Sequence, residues 1–119
     1  MLLKKFLRFM LCCSALIFAA YVPAALAEDA APPAEPHLDI QNHRYVPDHI
    51  TVPAGVKFKL TVKNNDSSPE EFESFDLDRE KIVAPGQEIT VFLGPLDPGD
   101  YKFFGDFHQD TAQGVMTAK

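Results

Sequence analysis

The run Val56-Lys57-Phe58-Lys59-Leu60-Thr61-Val62-Lys63 alternates apolar and polar residues without a break. Successive side chains of an extended strand point to opposite faces, so this period predicts a strand with one face in a core and the other in water. Outward from it, runs of β-type composition lie at 38–41, 49–52, 71–75, 81–83, 88–93, 101–104 and 115–118. Pro53-Ala54-Gly55, Asn64-Asn65-Asp66, Ala84-Pro85-Gly86 and Asp97-Pro98-Gly99 supply turn chemistry between them. Many short strands with no amphipathic helix predict an all-β domain, a Greek-key β-sandwich or barrel. Residues 110–113 are expected to form a helical turn at most.

The N-terminal region carries an address rather than a fold. Lys4, Lys5 and Arg8 precede an apolar run that begins at Phe9, and Ala25-Leu26-Ala27 places small residues where a signal peptidase cuts. A signal peptide over 1–27, cleaved after Ala27, is therefore expected, with the product in the periplasm. Residues 28–36, with Pro32, Pro33 and Pro36 among Ala and acidic residues, read as a flexible extended leader. The domain proper is expected over 37–119. Both cysteines, Cys12 and Cys13, fall in the signal segment, so the exported domain has neither a disulfide nor a thiolate ligand. The formal charge of the whole chain is −6, and losing the three basic residues of the signal makes the remainder more acidic. Such a surface suits cations and excludes nucleic acid as a partner.

Two groups of residues carry chemistry. Glu70, Glu71, Glu73, Asp76, Asp78 and Glu80 concentrate a large share of the 17 acidic residues in one short stretch. On a strand, Glu71 and Glu73 share a face, where they repel unless a cation lies between them; the plain alternative is a solvated edge that discourages strand pairing. His108 follows Phe103-Phe104-Gly105-Asp106-Phe107 in a loop after a strand, where an imidazole beside Asp106 suits a metal site. His37, His43 and His49 have no evident partner in sequence, and Met116, at alternating spacing with Gly114 and Ala118, reads as core before it reads as a thioether ligand. Nucleophile elbows, paired-cysteine zinc spacings and phosphate-cradling glycine loops are all missing.

With these residues in view, the chain resembles the cupredoxin family. The nearest pattern is that of cupredoxin-like proteins associated with bacterial ferrous-iron permeases, of the EfeO type. The resemblance rests on Tyr45 through Gly55, Asn64-Asn65-Asp66, Pro69-Glu70-Glu71-Phe72-Glu73-Ser74, Arg79-Glu80-Lys81, Gly99-Asp100-Tyr101 and Phe103-Phe104-Gly105-Asp106-Phe107-His108. Compared with a blue-copper member, the first histidine ligand falls on Glu70 or Glu71, the cysteine on Gly105, the second histidine on His108 and the methionine near Met116. A type 1 copper centre needs the thiolate, so none is expected. What the resemblance implies instead is a periplasmic metal-binding protein holding a copper and/or iron ion through Glu71 and Glu73 as carboxylate ligands and His108 as imidazole ligand. Asp106 is then a ligand or an orienter of His108. The implied partner is a membrane iron permease, with assistance to Fe(II) oxidation an open option. The alternatives are a metal-free interaction module and a copper-delivery or sequestration protein.

Overall fold

The computed structural model describes residues 35–119; the expected signal peptide over 1–27 and most of the expected leader over 28–36 lie outside the described residues. Among the described residues nine strands form two sheets: β1 His37–Gln41, β2 Arg44–Val46, β3 His49–Val52, β4 Phe58–Asn64, β5 Glu70–Ser74, β6 Arg79–Val83, β7 Glu88–Leu93, β8 Gly99–Gly105 and β9 Gln113–Ala118. A 3-10 turn, Asp106–His108, lies between the last two. One sheet runs β2-β1-β4-β7 and the other β3-β9-β8-β5-β6. Pairing is antiparallel except for β1 with β4 and β3 with β9. This is the all-β sandwich expected from the alternation.

Within β4, Phe58, Leu60 and Val62 are buried while Lys59 faces water, and Asn64 continues the inward row. Facing them across the sandwich are Phe72 of β5, Phe103 of β8 and Met116 of β9, each essentially without exposed surface. Met116 is thus a core residue. Tyr45 closes the aromatic part of the core, its ring edge-on to Phe103 at 5.0 Å and to Phe72 at 6.2 Å between centroids. The inward Asn64 is fully bonded: its amide donates to the Ser68 and Val83 carbonyls, and its oxygen accepts from the Asp66 N–H. A buried amide without those partners would destabilise the sandwich by about 1–3 kcal/mol.

The structure differs from the sequence reading in three places. Val56, at the head of the alternating run, is 43% exposed because the strand begins at Phe58. Strand β2 was not foreseen; it pairs with β1 through a two-residue turn at Asn42-His43, where both residues have positive φ. Such turns match the twist of a hairpin and usually carry glycine at the second position, and here the Asp66 carboxylate holds the turn by accepting from both N–H groups. The helical turn forms at 106–108 rather than at 110–113.

Candidate functional site

Strand β5 divides its residues by parity. Glu70, Phe72 and Ser74 point into the sandwich, and Glu71 and Glu73 point out. Register sets Glu73 opposite Glu80 of β6, with Glu71 diagonal to Glu80. Asp106, directly after β8, adds its charge from the adjoining strand. The consequence is electrostatic crowding. The Glu71 carboxyl is raised above its usual range by a shared hydrogen bond with Glu80, then by partial shielding from water and by the charges of Glu80, Asp106 and Glu73. Glu73 is raised by partial shielding and by Asp106 and Glu80. Three of the four residues singled out from the sequence therefore feel one another on one surface.

The fourth, His108, is engaged elsewhere. Its Nδ1 lies 2.5 Å from Oε2 of Glu70, a carboxylate with only 1% of its surface exposed. The other oxygen of Glu70 accepts from the backbone N–H groups of Phe107, at 2.9 Å, and Glu71, at 3.0 Å. Every polar atom of this inward side chain is thereby satisfied, as a buried charge requires. Removing the imidazole would leave one oxygen of a buried carboxyl without its partner, at a cost of about 1–3 kcal/mol. Asp106, by contrast, takes its hydrogen bond from the Gln109 amide at 2.7 Å, so the place on His108 Nδ1 that an orienting carboxylate would hold belongs to Glu70.

The imidazole of His43 stacks on that of His108, with centroids 3.6 Å apart and planes 12° from parallel. Thr111 donates to the His43 carbonyl at 2.6 Å, tying the β1–β2 turn to the loop that carries His108. Below them, the Tyr45 hydroxyl donates to the Phe104 carbonyl, and burial beside the Glu70 charge pushes its ionisation well above the usual range. The sequence reading named Glu70 in the acidic stretch and beside Glu71 at the first-ligand position without assigning it a ligand role, and it found no partner for His43. The signal for Glu70 was strand parity, which places it on the Phe72 face; nothing in sequence places His43 over His108, since they are joined only by the fold.

The residues present do not fit a type 1 copper centre. No cysteine lies among the described residues, and Gly105 has no room to carry a side chain. A Cβ built there would stand 2.6 Å from Glu70 Cδ, 2.8 Å from Glu70 Oε1 and 2.7 Å from the Ala112 methyl. Glu70 fills the space beside that position. Nor, among the described residues, do three His, Cys, Asp or Glu side chains converge as a ready metal cage.

The comparisons with known proteins agree on the scaffold. A match to the cupredoxin-like domain runs over residues 10–118. An uncharacterized protein of Rickettsia prowazekii is 51% identical over 82 residues, covering 69% of this chain and 66% of that protein. Among solved structures, auracyanin from Roseiflexus castenholzii superposes with a TM-score of 0.62 at 18% identity, covering 75% of this chain and 99% of that one. Amicyanin from Paracoccus versutus gives 0.58 at 16% identity, over 76% of this chain and 86% of that one. A purple cupredoxin from Nitrosopumilus maritimus gives 0.57 at 21%, over 71% and 100%. At these identities the structures speak for the fold, and the family match spans nearly the whole sequence: the chain belongs to the cupredoxin-like domain family.

Proposed function

We propose that this chain is an exported, periplasmic metal-binding protein of bacterial iron uptake that takes up a copper or iron ion and presents it to a membrane iron permease. The observation that carries the reading is the outward face of β5, where Glu71 and Glu73 lie against Glu80 and Asp106 and their own carboxyls are raised above the usual range by that company and by partial shielding from water. A cation placed among them relieves that repulsion. Carboxylates with an imidazole form a borderline-to-hard donor set that suits Cu(II) and iron, and Glu71, Glu73, Asp106 and His108 are the ligands assigned. The solved cupredoxins of similar fold lend support to a metal-handling role, though not through a thiolate. The resemblance at Glu71-Phe72-Glu73, Arg79-Glu80-Lys81 and Asp106-Phe107-His108 supports the association with iron uptake. The charged and apolar N-terminal pattern supports export.

The test is calorimetric titration of the exported protein with Cu(II) and, anaerobically, with Fe(II), repeated on the Glu73→Gln, His108→Ala double variant. Micromolar or tighter binding, weakened at least tenfold in the variant, is expected. Absence of binding to either ion overturns the reading. A second reading then takes its place, a metal-free interaction module, favoured by the closed interior around Glu70 and by Phe75, which is 77% exposed beside Phe104. Copper delivery unconnected with iron would show as binding of copper alone.

A further inference from the structure

Glu70 does more than fill space, because its hydrogen bonds are not interchangeable. Oε1 is committed to two backbone donors, Phe107 N–H and Glu71 N–H. In its ionised form a carboxylate only accepts, so Oε2 then takes its hydrogen bond from His108, and a donor at Nδ1 requires the ring proton there. In the neutral imidazole this leaves the lone pair on Nε2. The ring is held in that pose twice, in its plane by Glu70 and over one face by His43 at 3.6 Å. The Asn42-His43 turn places His43 at a positive φ of 56°, a left-handed backbone position that most side chains avoid and that Asn, Asp and His adopt most readily. The ring itself keeps 26% of its side-chain surface exposed.

From this geometry we infer that Glu70 is a positioning residue that fixes His108 as the Nδ1-protonated tautomer, so that the chain offers a metal ion a single imidazole lone pair at Nε2. The interior beside Gly105 is closed to metal by the same carboxylate. The inference deepens the proposed function, whose imidazole ligand it specifies by atom. A carboxylate on the far nitrogen also makes the imidazole a better donor, and loss of such partners elsewhere weakens metal affinity 10–100-fold.

The substitution Glu70→Gln separates this role from packing. The two backbone N–H donors hold the amide oxygen where Oε1 was, which turns the amide NH2 toward His108 Nδ1. That nitrogen must then accept, and the neutral ring carries its proton on Nε2 instead. The experiment is 15N NMR of the His108 ring in metal-free protein, wild type and Glu70→Gln, at a pH where the ring is neutral, followed by Cu(II) titration of both. Expected are an Nδ1-protonated wild-type ring, an Nε2-protonated ring in the variant and Cu(II) affinity at least tenfold lower in the variant. A wild-type ring with its proton on Nε2 overturns the inference, and this measurement decides even where the variant fails to fold. An Nδ1-protonated wild-type ring in a protein that binds no metal upholds the tautomer assignment and overturns the proposed function instead.

Discussion

At the scale of single residues, Glu70 and Gly105 behave as one unit. The inward carboxylate occupies the volume that any side chain at 105 would need, with Ala112 closing the other side. Gly105→Ala is therefore expected to destabilise the protein by about 1–3 kcal/mol through overpacking. Because the clash is with Glu70, combining it with Glu70→Ala is expected to cost less than the two single changes added together. Urea denaturation of the four proteins in the cycle measures this, and strict additivity would show that the two positions are independent. Gly105 keeps an ordinary negative φ, so the demand for glycine here is one of space. The sequence showed that a cysteine was missing at this place, but it could not show that the neighbouring strand had already filled it.

At the scale of elements, the parity of β5 separates two kinds of chemistry that lie one residue apart. Its inward row holds a fully bonded carboxylate at Glu70, an aromatic at Phe72 and a hydroxyl at Ser74 that donates to the Lys102 carbonyl. Its outward row holds Glu71 and Glu73 against Glu80 of β6. Both outward groups bind protons more readily in the folded chain than in the unfolded one. Their ionisation thus works against the fold: the stabilisation linked to their protonation is present below the ordinary carboxylate range and is lost as pH rises through their raised values. In metal-free protein, the thermal midpoint of wild type is expected to fall relative to that of Glu71→Gln, Glu73→Gln as pH rises through that window. Parallel pH profiles for the two proteins would refute the crowding. Strand alternation made the shared outward face of Glu71 and Glu73 legible from the sequence. The addition of Glu80 depended on the β5–β6 register, and that of Asp106 on β8 lying beside β5.

At the scale of the whole molecule, the sandwich brings to one end parts that are remote along the chain: the β1–β2 turn, the start of β5 and the loop from Gly105 to Ala112. Asp66 fastens the turn through two backbone N–H groups, and Thr111 fastens the loop to the turn. The acidic balance of the chain belongs to this scale too, since a net charge of −6 draws cations to the surface as a whole. Export is the remaining whole-chain expectation. Protein recovered from the periplasm of an expressing bacterium is expected to begin at Glu28, and mass spectrometry of its N-terminus decides this; retention of Lys4, Lys5 and Arg8 in the recovered protein would exclude cleavage after Ala27.

By itself, the sequence determined the fold class, the inward row of β4, the absence of a thiolate from residues 35–119 and the outward direction of Glu71 and Glu73. These follow from period-two alternation, turn chemistry and residue type, which act over a few neighbouring positions. Only the tertiary structure decided that His108 is bound by Glu70 rather than by Asp106, that His43 lies over it, and that the interior beside Gly105 is filled. The contacts of Glu70 with His108 and Gly105, and of His43 with His108, join residues at least 35 positions apart (105 − 70 for the shortest). They depend on strand register and on two sheets closing over one core, and no local pattern encodes which side chains then meet.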